Sequence, residues 1–265
     1  MRSKTTVKAL LATVSPAALA LVGTAVDLPV IAPAMAAPAS SWTGCYVGGH
    51  VGYGWGTHEV SRAQSFSFSS TAGVASGRRD FDTRGGVYGG QVGCNYQFAS
   101  NWVLGVEGMF AGTNIKGDVA DPVGAFGFGP NTISVKTDWL WSAVARFGAT
   151  AANNQALFYG KFGVAGARNT WSNSNPVLAG MGGSENRFGW TVGGGVEWAL
   201  APQWSVFVDF SHYHFDNNGS TFSVAYSFGG CGSVGGSTCF VSDSLTSGPQ
   251  TINVVKGGLN FKFGP

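Results

Sequence analysis

Charged residues are scarce in this 265-residue chain, at 11% of the sequence against roughly 25% in ordinary soluble domains. The composition is therefore not that of a soluble protein. Disorder is excluded as well, because 44% of the residues are apolar and 13% are aromatic, whereas chains that stay unfolded are poor in both. The sequence has only four histidines, which leaves few ligands for a metal site, and we predict neither a metal nor another cofactor.

Long apolar runs are missing outside the N-terminal region. There, three basic residues precede an uncharged stretch from Ala9 to Val26, and an Ala-x-Ala site follows at residues 34–36. This pattern is typical of a cleaved secretory signal peptide. A membrane anchor helix is the alternative, but Pro16 and the modest hydrophobicity of the stretch disfavour it. We predict a signal peptide over residues 1–36 and a single domain over residues 37–265.

The formal net charge of +2 lies wholly within the predicted signal peptide. Residues 1–36 contain Arg2, Lys4 and Lys8 but one acidic residue, Asp27. The mature chain is then formally neutral, and its charge indicates no nucleic-acid partner.

Apolar and polar residues alternate with a period of two in many segments. In the stretch WTGCYVGGHVGYGWG, one face carries Val47, Val51 and Tyr53, while the other carries Tyr46, His50 and glycines. Seven further segments repeat this alternation, which is typical of strands with one apolar face. An exported chain without a spanning helix can cross a bilayer as a closed β-barrel, because closure leaves no backbone group unpaired.

The connections between the segments alternate in length. Short breaks at Ala99–Asn101, Ala151–Asn154 and Ala201–Pro202 separate connections of roughly 15–30 residues. We therefore predict an all-β fold: an eight-stranded antiparallel transmembrane β-barrel with up-and-down meander topology. Short turns of such barrels face the periplasm and long loops face outward, so both termini should be periplasmic.

Five motifs in this order resemble one family: WTGCYVGGHVGYGWG, YGGQVGCNYQF, NWVLGVEG, RFGWTVGGGVEWAL and VKGGLNFKF. They are similar to the small outer-membrane β-barrel proteins of alphaproteobacteria, the Omp25/Omp31-like porin family, over essentially the whole mature chain. The resemblance implies an eight-stranded barrel in the outer membrane of a Gram-negative bacterium, inserted by the barrel-assembly machinery. It also implies roles in envelope integrity and surface interaction, without a defined catalytic site.

Charged residues on the predicted inner faces are the first candidates for function. Three acidic and three basic positions lie at similar depth, about four to seven residues from a short turn or the C-terminus: Glu107, Arg146, Lys161, Glu197, Asp209 and Lys256. We interpret them as an interior salt-bridge cluster, since an isolated charge in a narrow lumen costs several kcal/mol. The alternative is a polar constriction that makes the barrel a narrow passive channel for ions or small solutes.

The segment SHYHFD is a weaker candidate for an enzyme active in the membrane. It contains Ser211, His212, His214 and Asp216, but the strand phase places Ser211 on the opposite face from the two histidines. Residues at the membrane interface are the favoured interpretation, and we predict no enzymatic activity. The long loops are rich in Ser, Gly and aromatic residues, which suits contact with outer-membrane lipids, lipopolysaccharide or a host or cell-surface ligand.

The four cysteines fit an oxidising compartment. Cys231 and Cys239 bracket a Gly and Ser-rich segment of the last long loop, and Cys45 and Cys94 face outward near the turn-side ends of two adjacent strands. We predict a disulfide bond in each pair, although Cys45 and Cys94 could also remain free thiols.

Overall fold

Nine β-strands make up the regular secondary structure of the described residues. The computed structural model describes residues 41–68, 71–121, 131–174, 182–216, 220–229 and 238–263. The strands are β1 (Gly44–Phe68), β2 (Thr71–Phe98), β3 (Trp102–Ala120), β4 (Thr132–Ala151), β5 (Ala156–Asn173), β6 (Gly183–Ala201), β7 (Trp204–Phe215), β8 (Thr221–Gly229) and β9 (Thr238–Phe263). None of the described residues forms a helix long and apolar enough to cross a membrane. The predicted signal peptide lies outside the described residues.

Eight of the strands close into a ring of antiparallel neighbours. Each of β1 to β6 pairs with the next strand, β7 pairs with β9, and β9 returns to pair with β1. The first and last strands are in register from Cys45 opposite Phe263 to Phe68 opposite Cys239. The predicted fold, an eight-stranded antiparallel barrel, is therefore confirmed.

The additional strand β8 continues the line of β7. Both strands pair with β9, β7 along residues 250–261 and β8 along residues 238–246. The seventh position of the ring is thus occupied by a strand that is interrupted between Phe215 and Thr221.

Side chains alternate between the lumen and the outer surface along most of each strand. Along β3, every second residue from Val103 to Ala111 is buried while the residues between them are exposed. The outward residues of β2 are apolar or aromatic from Tyr88 to Phe98, about eleven residues, which is the length a tilted strand needs to cross a bilayer. We call the outward-facing apolar surface at this level of the ring the apolar band.

The three predicted short breaks are tight turns. Ala99, Ser100 and Ala152 have positive φ angles of 47°, 65° and 51°, and Asn153 and Asn154 have 55° and 66°. Asparagine tolerates this left-handed conformation better than most residues. We call this end of the barrel, which also holds Gly44 and Phe263, the turn side, and the opposite end the hairpin side.

The first predicted long loop is largely strand. Residues 57–68 and 71–82 pair continuously, so β1 and β2 extend well beyond the apolar band. The sequence pattern missed this extension because polar residues occupy both faces there. His58 and Arg62 point inward and are buried, while Glu59 and Ser61 lie on the other face.

A disulfide bond joins β1 to β2 at the turn side. Cys45 and Cys94 are directly opposite in the register and their sulfur atoms are bonded. This pairing was predicted and is confirmed. Cys239 lies on β9, but its predicted partner Cys231 is outside the described residues, so that pairing stays a prediction.

Candidate functional site

Arg146 on β4 joins two carboxylates inside the lumen. Its Nη1 lies 3.2 Å from Oε2 of Glu107 on β3, and its Nη2 lies 2.8 Å from Oε2 of Glu197 on β6. All three side chains are buried. Strand β5 lies between β4 and β6, so the second ion pair spans one intervening strand on the inner face of the ring.

Asp209 on β7 joins the two buried lysines of the predicted cluster. Its Oδ1 lies 2.7 Å from Nζ of Lys161 on β5 and 3.8 Å from Nζ of Lys256 on β9. The Oγ of Ser211 also donates a hydrogen bond to Oδ1 of Asp209, at 2.9 Å. The six predicted residues are thus brought together as two triads, one around an arginine and one around an aspartate.

Two tyrosines support the triads, and one of them, Tyr159, connects the first triad to the second. The Oη of Tyr46 donates to Oε2 of Glu107 at 2.7 Å and also contacts Arg146. The Oη of Tyr159 donates to Oδ2 of Asp209 at 3.0 Å, and its ring centroid lies 3.9 Å from Cζ of Arg146, a cation-π distance. Period two places both tyrosines on inner faces of the strands, but it does not identify their partners.

A chain of amides extends the network to the first and last strands. His50 Nδ1 lies 2.6 Å from Oε1 of Gln91, whose Nε2 donates to Oδ1 of Asn260 at 2.7 Å. Asn260 Nδ2 then donates to Oε1 of Glu197 at 2.8 Å. We call the two triads, the two tyrosines and this chain the charged network. Its charged groups are held by protein side chains from all around the ring.

An apolar layer crosses the lumen on the hairpin side of the charged network. It consists of Val87, Met109, Ala111, Ile115, Leu140, Ala165, Ala167, Tyr213, Phe215, Ile252 and Val254, each at most 5% exposed. Strand β1 contributes Gly54, where a Cβ would lie 2.5 Å from Cδ1 of Ile115. A side chain at this position would require Ile115 to shift.

The turn-side mouth is closed by Trp42, which precedes β1. Its ring packs with Val103, Leu157 and Tyr159, and its Nε1 donates to the carbonyl oxygen of Asn154 at 3.0 Å. The cavity that remains at this mouth measures about 20 Å³, room for about one water molecule. Both ends of the charged network are therefore covered by apolar side chains.

A second polar group lies on the hairpin side of the apolar layer. Arg187 Nη1 donates to Oγ of Ser247 at 2.6 Å, and this hydroxyl donates to Oε1 of Glu185 at 2.7 Å. His58 Nε2 lies 3.1 Å from the same hydroxyl. Since His58 lies beyond Trp55, the last apolar-band residue of β1, it is outside the membrane-spanning part. Burial, together with the nearby Arg187 guanidinium, lowers the pKa of His58 to about 3.

The part of the ring on the hairpin side of the apolar band, which we call the outer extension, has its own core. It comprises Val60, Phe81, Val119, Ile133, Val135, Trp171 and Leu245. Beyond it, the buried Arg62 forms ion pairs with Asp121 and Asp243. None of these residues was predicted as part of a site. The inward period-two positions of His58, Val60, Arg62 and Gln64 were the signal that could have identified them.

The residues of SHYHFD do not assemble into a catalytic group. Ser211 is buried in the lumen next to Asp209, whereas His212 and His214 are half-buried on the outer surface, where both rings pack near Trp190. His214 Nε2 lies 3.3 Å from Oδ1 of Asp216. Within the described ranges, no group of three or more His, Cys, Asp or Glu side chains is placed to hold a metal ion.

Comparison with known proteins identifies similar sequences. A family model described as "Outer membrane protein beta-barrel domain" matches residues 22–228. The "31 kDa outer-membrane immunogenic protein" of Brucella melitensis is 29% identical over 239 residues, which is 84% of each chain. The protein of the same name from Brucella suis matches to the same extent.

Solved structures with related architecture share little sequence. OprG from Pseudomonas aeruginosa is 13% identical with a TM-score of 0.35, over 85% of this chain and 99% of that one. The attachment invasion locus protein Ail of Yersinia pestis is 11% identical with a TM-score of 0.33, over 83% and 99%.

Proposed function

Because the chain belongs to the outer-membrane β-barrel protein family, we propose that it is a non-enzymatic envelope protein whose lumen is closed and whose hairpin side makes surface interactions. In this proposal the turn side and both termini are periplasmic, and the hairpin side faces outward. The protein contributes to envelope integrity and does not carry solutes.

The filled lumen is the observation that carries this proposal. An eight-stranded barrel has just enough interior for side chains. Here the apolar layer fills the cross-section of the lumen on the hairpin side of the charged network, and Trp42 covers the network on the turn side. A hydrated ion would have to cross an apolar layer whose residues are at most 5% exposed, at a cost of several kcal/mol.

The hairpin-side surface supports the proposed interactions. An open groove of about 680 Å³ lies between the ends of the β1–β2 and β8–β9 hairpins, where Ser65, Val74 and Phe240 are exposed. Exposed apolar side chains beyond a membrane suit contact with another surface. The Brucella relatives are named immunogenic proteins, which fits a surface position for this chain too.

Electrical recording from the purified protein tests the closed lumen. We expect no stable conductance steps from the refolded chain in planar bilayers. The variant I115G/L140G, which thins the apolar layer, should give steps if the layer is the barrier, and L104G on the outer surface is the matched control. Ion-selective steps from the unmodified protein that disappear in E107Q or R146Q would establish the narrow passive channel instead.

Tag accessibility on intact cells tests the orientation. A short epitope inserted between residues 69 and 70 should be reached by antibody without permeabilisation. The same epitope between Asn153 and Asn154 should be reached only after the outer membrane is opened. The reverse pattern would overturn the proposed orientation.

A further inference from the structure

Basic residues occupy one side of the outer surface just beyond the apolar band. Arg84 on β2 is directly opposite Lys116 on β3, and Lys116 is directly opposite Lys136 on β4. All three side chains are exposed. We call these three residues the cationic row. Arg168 on β5, also exposed, extends the positive charge to a fourth strand.

Two of the three residues of the cationic row lack a paired counter-charge among the described residues. Lys136 Nζ lies 3.1 Å from Oδ1 of Asp138, but Arg84 and Lys116 form no ion pair with any described residue. Like charges directly opposite each other on neighbouring strands destabilise a sheet. An external anion would convert this repulsion into attraction.

The position of the row relative to the apolar band indicates where that anion would lie. Tyr88 and Phe110, on the same strands as Arg84 and Lys116, are exposed members of the apolar band. Between them and the row lie Gly86 and Gly112, which have no side chain, and the exposed Asn114, whose Oδ1 accepts a hydrogen bond from the Gly86 N–H at 2.5 Å. A ligand that fits this surface has apolar chains next to the aromatic rings and negative groups next to the cationic row, on the hairpin side of those rings.

The remaining outer surface shows that the charge is localised. Asp82 and Asp118 are exposed one outward position beyond the row, so an anion is attracted at the edge of the band and repelled further away. At the register positions that continue the row around the ring, the outer surface holds Trp55 on β1, Asn253 on β9 and Asn186 on β6, which are uncharged.

We propose that Arg84, Lys116 and Lys136 bind the phosphate groups of outer-leaflet lipopolysaccharide, with its acyl chains against Tyr88 and Phe110. Lipopolysaccharide carries phosphate on sugars that lie directly above its acyl chains, which matches this order of charge and aromatic surface. Arginine binds phosphate in bidentate geometry and lysine binds it as a point charge. The inference rests on the proposed orientation, in which the hairpin side faces outward.

Binding of purified lipid A to the protein in detergent tests the site. The variant R84Q/K116Q should weaken binding about thirtyfold, since each basic residue at an anionic headgroup layer strengthens binding about fivefold. The matched control R78Q/R79Q removes the same charge from the same hairpin, further from the band, and should bind like the unmodified protein. The charge-preserving swap R84K/K116R should restore most of the affinity. Unchanged heat-modifiable gel mobility shows that each variant is folded.

Three results would overturn the site. Equal weakening in R84Q/K116Q and R78Q/R79Q would show a general charge effect. Equal affinity for lipid A from which the phosphates have been removed would show that only the acyl chains bind. Equal affinity for phosphatidylglycerol would show a site for any anionic headgroup. Epitope accessibility on cells decides the orientation separately, so the site and the proposed function can each fail alone.

Discussion

The two halves of the lumen differ in the side chains that mainly fill them, which are charged on the turn side and apolar on the hairpin side. On the turn side, buried charges from six strands pair across the interior, with Arg146 and Asp209 at the centres of the two triads. On the hairpin side, the apolar layer and the core of the outer extension consist of aliphatic and aromatic side chains, and smaller buried polar groups around Arg187 and Arg62 lie beyond the apolar layer. Both halves exclude solvent, but the interactions that achieve this differ in kind.

This difference has energetic consequences. In the charged network each group is stable only because its partners are present, so the loss of one partner leaves another charge buried and unpaired. In the apolar layer each side chain contributes through its own burial, and losses depend on the volume removed. A single substitution in the charged network should therefore cost the full penalty of an unpaired buried charge. In the apolar layer, the loss of unfolding free energy should increase with the volume removed.

The largest effect is expected at the centre of the first triad. R146A should lower the free energy of unfolding by about 3–5 kcal/mol, because it leaves Glu107 and Glu197 buried without a counter-charge. Urea unfolding of the refolded protein in detergent, followed by tryptophan fluorescence, measures this change.

A neutral replacement of the whole triad is the matched control for R146A. E107Q/R146M/E197Q removes all three charges together and should cost clearly less than R146A alone. If R146A has no effect, the carboxylates are hydrated and the turn side is not a dry, paired network.

A smaller effect is expected in the apolar layer. L140A should lower the free energy of unfolding by about 3 kcal/mol, because Leu140 is fully buried and the ring around it cannot collapse. L104A removes the same side chain from the outer surface, where Leu104 is half exposed, and should cost much less. Equal losses in the two variants would mean that the layer is loosely packed.

Acidification should lower the free energy of unfolding through His58, which lies on the hairpin side. Unfolded His58 binds a proton below about pH 6.5, whereas folded His58 stays neutral until about pH 3. The unfolded state thus binds more protons between these values, and stability falls as the pH falls, by about 2 kcal/mol at pH 5. H58Q should reduce the loss measured between pH 7 and pH 5, and H214Q, on the outer surface, should not. An identical slope in H58Q would contradict the assignment.

The barrel itself could be predicted because its two surroundings are so different. Lipid outside and packed side chains inside force the period-two alternation, and the short turns at residues 99–101, 152–155 and 202–203 fix the order of strands. The family resemblance is confirmed by the match to the outer-membrane β-barrel family, and the Cys45–Cys94 disulfide bond is confirmed by the structure. Beyond Trp55 the outer surface no longer needs to be apolar, the contrast between faces fades, and the strand extension was missed.

The site could be predicted in position but not in pairing. The distance of Glu107, Arg146 and the other charges from the turns indicated a common depth, and their balance indicated ion pairs. Which groups meet depends on side-chain length and on the strand register around the ring, which bring Arg146 to Glu197 and Lys161 to Asp209 past one intervening strand. Period two contains no information on either quantity.

The smallest effect is expected at the end of the β1–β2 hairpin. Replacing residues 65–74 by Asn-Gly would join Gln64 to Ala75, which are directly opposite in the register, through a two-residue turn suited to a hairpin. The removed segment lies beyond the core of the outer extension and beyond the buried Arg62, so both halves of the lumen keep their contacts. We expect a change in unfolding free energy below about 1 kcal/mol. Loss of the folded, heat-modifiable band on SDS gels would show that the hairpin end supports the hairpin-side lumen after all.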